Sequence, residues 1–119
     1  MTRKMYSIDD LTTEKQQQQM CLDLLTIKGY VVWRTNTGAG KYQNKDGSWR
    51  TVRYGVKGMP DICGYTPTGQ AFFWEVKKVK GRLSVHQKAF LDRARENKCL
   101  CGWGTASDLE KFLTPKKVL

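Results

Sequence analysis

Two short segments decide the fold of this chain: GMPDICGY at residues 58–65 and FFWEVK at residues 72–77. Asp61 lies in the first segment and Glu75 in the second, and Lys77 follows two residues later. Burying a carboxylate in an apolar strand is costly unless a partner accompanies it. The alternative, a surface hairpin with an ordinary Glu–Lys pair, fits less well because both faces of these segments are apolar. The pattern therefore indicates a site and not a solvated strand.

The residues between the two segments predict a β-hairpin that brings Asp61 and Glu75 together. Pro67-Thr68-Gly69 suits a three-residue loop whose glycine adopts a positive φ. Counting outward from this loop places Asp61 directly opposite Glu75, at about 5 Å between Cβ atoms. Because side chains alternate along a strand, Lys77 shares the face of Glu75.

Two opposed carboxylates repel each other unless a cation lies between them. Mg²⁺ suits such a pair, since it takes one or two carboxylates and keeps water and phosphate oxygens as its other ligands. The hairpin therefore predicts a metal site for phosphodiester cleavage, in which Asp61 and Glu75 bind the metal beside Lys77.

Length and composition indicate one globular domain over residues 1–119, with 39% hydrophobic residues. The formal charge of +10, from 21 Lys and Arg against 11 Asp and Glu, predicts a polyanion partner, most simply nucleic acid. No apolar run approaches the roughly 18 residues of a membrane span. The first seven residues lack the apolar region of a signal peptide, so we expect none. The four cysteines lack zinc-site spacing, so we expect them to be reduced in a cytoplasmic protein.

A helix is predicted from the capping-box pattern at residues 7–10 to Lys28, with Gly29 ending it. Glu14 falls on the apolar arc of this helix, which predicts an inward carboxylate and a further metal ligand. The alternative is a first-turn glutamate that complements the helix dipole. Gln16–Gln19 are expected on the helix surface, and Tyr30–Trp33 are expected to form a buried strand.

The GAGK sequence at residues 38–41 does not complete a phosphate loop, so no nucleotide cofactor is expected. From about 41 to 57 the chain is basic, and Asp46-Gly47 predicts a hairpin or loop excursion. Basic residues among aromatic ones suit DNA contact, while a solvated excursion or a dimer contact are the alternatives. The candidate DNA-binding residues are Arg34, Asn36, Lys41, Arg50, Arg53, Lys57, Lys78, Lys80 and Arg82.

Ser84 and Gln87 form a capping-box pattern that opens another helix. Gln87 also begins the inward stripe of this helix, so it is a candidate to orient the attacking water or Lys77. The cap is the alternative role, and His86 is expected on the surface. Residues 99–103 predict a buried strand parallel to the Glu75 strand, followed by a last helix capped at Thr105.

The order of these pieces resembles the PD-(D/E)XK nuclease superfamily, and within it the VRR-NUC family in its stand-alone phage or bacterial form. The resemblance covers Glu14 to about Leu113. It depends on Glu14, Trp33-Arg34-Thr35-Asn36-Thr37-Gly38, Gly58-Met59-Pro60-Asp61, Glu75-Val76-Lys77 and Ser84-Val85-His86-Gln87.

This resemblance implies an α/β fold with a restriction-endonuclease-like core, in which a central mixed β-sheet is flanked by α-helices. It implies Mg²⁺- or Mn²⁺-dependent cleavage of DNA, with Asp61, Glu75, the Val76 carbonyl and Glu14 as metal ligands. Lys77 would lie near the attacking water or the developing charge, and Gln87 would position Lys77 or the water.

Stand-alone members of the family resemble homodimeric junction-resolving enzymes. A two-fold dimer offers two sites to a two-fold four-way junction, so we expect structure-selective cleavage of Holliday junctions or other branched DNA. The alternatives are a nickase, exonuclease or restriction-like nuclease of the same fold, or a non-catalytic DNA-binding protein.

Overall fold

The computed structural model describes residues 8–35 and 38–115, so the predicted contributions of Ser7 and Asn36 lie outside the described residues. The helices are α1 (Ile8–Leu11), α2 (Glu14–Ile27), α3 (Val85–Glu96) and α4 (Ala106–Leu113). The strands are β1 (Val31–Arg34), β2 (Gly38–Gln43), β3 (Trp49–Tyr54), β4 (Ile62–Tyr65), β5 (Ala71–Val76) and β6 (Leu100–Gly104).

The main sheet has four strands in the order β1-β4-β5-β6, which confirms the predicted mixed sheet. β1, β4 and β5 pair antiparallel, whereas β5 and β6 pair parallel, as expected for two strands joined through a helix. β4 and β5 form the predicted hairpin, in which the Thr66 amide donates to the Gln70 carbonyl and Gly69 has φ of 86°.

Helices cover both faces of this sheet. On one face Leu25 of α2 and Leu109 of α4 pack with Phe72 and Trp74 of β5 in the main core. On the other face Leu91 of α3 packs against β6 and β5 in a smaller cluster. β5 is one of the two inner strands and is apolar on both sides, which is why an acidic residue within it is unusual.

The prediction of one N-terminal helix from about residues 7–10 to Lys28 is wrong in its continuity, since two helices occupy this segment. The chain breaks after Leu11, and α2 begins anew because Thr13 and Gln16 form a capping box with each other. The predicted end is confirmed, since Lys28 is the C-cap and Gly29 follows with φ of 86°. Among the described residues, no helix is long and apolar enough to cross a membrane.

Two strands expected to be buried are edge strands with exposed side chains. In β1, Val31 is 46% and Trp33 51% exposed, and in β6 Trp103 is 43% exposed. Each edge strand packs fully on one sheet face only, whereas α3 covers just part of the opposite face. A short apolar run does not distinguish an edge strand from a central one.

β2 and β3 form a separate two-stranded hairpin, and within the described residues its strands pack extensively only on each other. Its loop includes Asp46 and Gly47, and Gly47 has the positive φ of 91° that favours glycine. The predicted hairpin therefore exists, but it begins at Gly38 and not at about residue 41.

Gln17 is fully buried, contrary to the expected helix-surface position of the glutamine run. Its Oε1 accepts from the Ala106 amide at 2.7 Å, and its Nε2 donates to Thr12 Oγ1 at 2.6 Å. Ala106 is the first residue of α4, so one glutamine links the start of that helix to α2.

We predict that Gln17→Ala lowers the free energy of unfolding by about 1–3 kcal/mol, because the buried Ala106 amide loses its acceptor. Chemical denaturation of the metal-free protein measures this change. Gln18→Ala, in the same helix turn, is the matched control and should have a smaller effect. Equal effects of the two substitutions would contradict the role given to Gln17.

Candidate active site

Asp61 and Glu75 meet at the end of the β4–β5 hairpin. Asp61 lies one residue before β4, and the Ile62–Trp74 pairing, extended by one residue, places it opposite Glu75. Asp61 Oδ2 accepts from the Val76 amide at 3.1 Å, and Lys77 Nζ lies 3.8 Å from Glu75 Oε1. The convergence of Asp61, Glu75 and Lys77 predicted from strand alternation is thus present.

β1 and the loop before Asp61 hold this carboxylate in place. The Thr35 amide donates to the Asp61 carbonyl at 2.8 Å, and Thr35 Oγ1 donates to the Pro60 carbonyl at 2.6 Å. Pro60 itself is buried. The sequence pattern included Thr35 in the stretch at residues 33–38 but assigned it no role. Its position opposite Asp61 follows from the pairing of β1 with β4.

Gly58 brings the same loop against the start of α3. It has φ of 78°, and a Cβ at this position would lie 2.2 Å from the His86 carbonyl oxygen. Only glycine tolerates both the left-handed backbone and this approach. The loop that carries Asp61 and the helix turn that carries Gln87 are therefore in direct contact.

The cap role considered for Gln87 is confirmed and its side chain contacts Glu75, whereas its role towards Lys77 or the attacking water stays a prediction. Its backbone amide donates to Ser84 Oγ and its Oε1 accepts from the Ser84 amide, which completes the predicted capping box. Its Nε2 donates to Glu75 Oε1 at 3.3 Å. The helix cap thus fixes the side chain that contacts the buried carboxylate, while His86 is exposed as expected.

Glu75 is only 3% exposed, and its second oxygen, Oε2, has no hydrogen-bond partner among the described residues. Burial, and then the neighbouring Asp61 carboxyl, raise the pKa of Glu75 to about 8, although Lys77 opposes the shift. In the metal-free protein this carboxyl is therefore protonated at neutral pH.

These two carboxylates fit a divalent cation. A buried carboxylate oxygen without a partner, next to a second carboxylate, is the environment in which a bound cation would replace the missing interactions. Within the described part of the chain, no group of three or more His, Cys, Asp or Glu side chains converges. The donor set is therefore two carboxylates, which suits a hard divalent cation that takes its other ligands from carbonyl and water oxygens.

Glu14 does not face inward, and this prediction is corrected. It is the first residue of α2 and is exposed, whereas Gln17 and Cys21 supply the buried side of that helix. The break at Thr13 changes which residues begin the helix, and Glu14 takes the first-turn position that complements the helix dipole. Its role as a metal ligand stays a prediction.

The candidate DNA-binding side chains are mostly exposed. Arg34 lies at the end of β1 and donates to Gln19 Oε1 at 3.0 Å. For Arg53 the structure describes the backbone only, and Asn36 lies outside the described residues. The remaining exposed candidates are Lys41, Arg50, Lys57, Lys78, Lys80 and Arg82.

The mixed sheet, the hairpin with its paired carboxylates, the lysine beside them and the glutamine from the following helix define a nuclease of the PD-(D/E)XK type. The model of the VRR-NUC domain matches residues 12–104, from the start of α2 to the end of β6. The chain therefore belongs to the VRR-NUC family. A comparison with curated proteins found no match.

We predict that burial of Glu75 makes the metal-free protein less stable as pH rises. The pKa of Glu75 is about 8 in the folded state against an ordinary value of 4.5, so the folded protein binds this proton more tightly than the unfolded chain does. The resulting stabilisation is fully present below about pH 4.5. This stabilisation is lost as pH rises from about 4.5 to about 8, and amounts to a few kcal/mol. Glu75→Gln stays neutral and should become increasingly more stable than wild type across this window.

Thermal and chemical unfolding in the presence of a chelator, over this pH range, measures the difference. Glu96→Gln, at an exposed position at the end of α3, is the control and should follow the wild-type curve. Parallel curves for Glu75→Gln and wild type would contradict the raised pKa.

Proposed function

We propose that this protein is a divalent-metal-dependent endonuclease that hydrolyses phosphodiester bonds in branched DNA. The observation that supports this proposal most directly is the pairing of Asp61 with a buried Glu75 whose Oε2 lacks a partner, beside Lys77. An ordinary strand gains nothing from such an arrangement, because burying a carboxyl with one oxygen left without a partner costs stability.

Asp61, Glu75 and the Val76 carbonyl would hold Mg²⁺ or Mn²⁺. A bound cation would supply Lewis-acid chemistry at the phosphate and favour ionisation of the attacking water. Lys77, which is partly exposed, lies where its ammonium group can approach that water or the charge that develops on the phosphate. Gln87 donates from its side-chain amide to Glu75 Oε1 and would keep this carboxyl group in a fixed orientation.

The positive charge of the chain would attract the substrate. Exposed basic residues lie on the β2–β3 hairpin and in the segment after Lys77. The described part of the chain contains no helix-turn-helix. Exposed lysine and arginine side chains suit phosphate contacts better than base recognition. Binding would therefore be salt-sensitive and would depend on the shape of the DNA.

A homodimer would match the two-fold symmetry of a four-way junction. One sheet face carries an uncovered apolar patch in which Val31 and Trp33 lie beside Tyr65, whose exposure is 45%. A second copy of the chain is the occupant that a junction-cutting function favours for this patch. The hairpin is the other described element available for such a contact.

We predict that Asp61→Ala or Glu75→Ala abolishes cleavage while DNA binding survives, because these substitutions remove metal ligands but leave the basic surface intact. Cleavage is measured with Mg²⁺ or Mn²⁺, and binding is measured with a chelator present. Glu110→Ala, an exposed acid on α4, is the matched control and should cut like wild type. Undiminished cleavage by both active-site variants would reject the proposed site.

We predict that a four-way junction is cut in preference to flap, duplex and single-stranded DNA, and that the protein sediments as a dimer. The same substrate panel, run with Mg²⁺, Mn²⁺ or chelator, separates the alternatives. Preferred cutting of duplex DNA would favour a nickase or restriction-like enzyme, and shortening from ends would favour an exonuclease. Salt-sensitive binding without cutting under either metal would favour a non-catalytic DNA-binding protein.

A further inference from the structure

We propose that Trp103 and the basic grooves around it bind an unpaired nucleotide of the DNA substrate, next to the bond that is cut. This inference deepens the proposed nuclease function and depends on it for the identity of the ligand. It assigns a role to a residue that lay within an apolar strand of the sequence and carried no predicted function.

Trp103 is the immediate neighbour of Glu75 in the sheet. The parallel β5–β6 register pairs the two residues, and paired strands lie about 4.8 Å apart. A Cβ on Gly102 would meet Trp74 on the α4 face, and Cys101 packs with Leu91 on the α3 face. Because side chains alternate along a strand, Trp103 lies on the same sheet face as Glu75, the face covered by α3. The indole of Trp103 therefore leaves the sheet beside the proposed metal site.

The indole is partly uncovered although it lies between two helices. Three surface grooves meet at Trp103, with volumes of about 410, 580 and 360 Å³. The first lies along α3 and the other two lie towards α4 and the segment after Lys77. An exposed tryptophan at a cleft is a large apolar surface that stays in water unless a ligand covers it.

The charges around these grooves favour a polyanion. Six cationic side chains line them against two carboxylates, an excess of four positive charges. Asp92 is paired with Lys88 and Arg95, and Asp108 accepts from the Thr105 amide in the α4 cap. Among the described residues, no carboxylate lies within ion-pair distance of the other four cations, which are Lys78, Lys80, Arg82 and Lys111.

An exposed aromatic ring within a cationic groove is the usual combination for binding unpaired nucleic acid, because the ring stacks on a base while the cations contact the backbone. A fully paired duplex hides its base faces in the stack and cannot use the indole in this way. Branched DNA offers unpaired or easily unstacked nucleotides where the helices meet. The site would therefore favour branched and single-stranded DNA over duplex through contacts that read no sequence.

Binding in the presence of a chelator tests this proposal without requiring cleavage. Trp103→Ala should weaken binding to an oligo-dT strand and to a four-way junction by about tenfold, while duplex binding changes less than about twofold. Trp103→Phe keeps an aromatic face and should retain most of the affinity. Val85→Ala, which removes another exposed apolar side chain, is the control and should bind like wild type. Equal losses for strand and duplex, or no loss, would overturn the proposal.

Fluorescence gives a second readout that does not depend on the alanine variant folding. Of the four tryptophans, a Trp33→Phe/Trp49→Phe variant keeps the buried Trp74 and the partly exposed Trp103. Oligo-dT should therefore quench the emission of Trp103 in this variant. Adding Trp103→Phe should remove the quenching, and quenching that persists would overturn the proposal. Cleavage by the wild-type protein with Mg²⁺ is assayed separately. Selective binding of single strands without cleavage would reject the nuclease function but not the stacking site. Cleavage without selective binding of single strands would reject only the stacking site.

Discussion

The antiparallel pairing of β4 with β5 determines the arrangement of the site. It places Asp61 opposite Glu75 and keeps Glu75 within a strand that helices cover on both faces. Burial of Glu75, and then the proximity of Asp61, disfavour the ionised carboxylate in the metal-free protein and raise the pKa of Glu75. Since native proteins are only marginally stable, the surrounding core must offset this cost. The large apolar side chains of β5, which belong to the main core, are the nearest source of that stability.

The molecule separates its charges by position. The two carboxyl groups lie together, with Glu75 buried and Asp61 partly buried. Among the described residues most lysine and arginine side chains are exposed, and several lie on the hairpin and around the β6 edge. A cation is attracted to the first environment and a phosphate backbone to the second. A phosphodiester held between them would meet both, which gives the overall charge of +10 a role beyond solubility.

The sequence was sufficient for those features that depend on local geometry. The strand period of two and the Pro67-Thr68-Gly69 loop fixed the register at Asp61, and the Ser84 cap predicted where α3 begins. The features that depended on tertiary partners were not predictable in this way. The helical arc gave Glu14 an inward direction, but the cap at Thr13 restarts the helix. Likewise Gln17 is buried because it meets the start of α4, 89 residues further along the chain.

The β2–β3 hairpin leaves and rejoins the main sheet beside the active site. The chain leaves β1 just after Thr35 and returns to the sheet at Pro60 and Asp61. Thr35 is hydrogen-bonded to the carbonyl groups of both residues. Both ends of the hairpin are therefore joined to the sheet at the Thr35–Asp61 pair. Residues added at its tip would leave this pair unchanged, so the length of the hairpin is independent of the geometry of the two carboxyl groups.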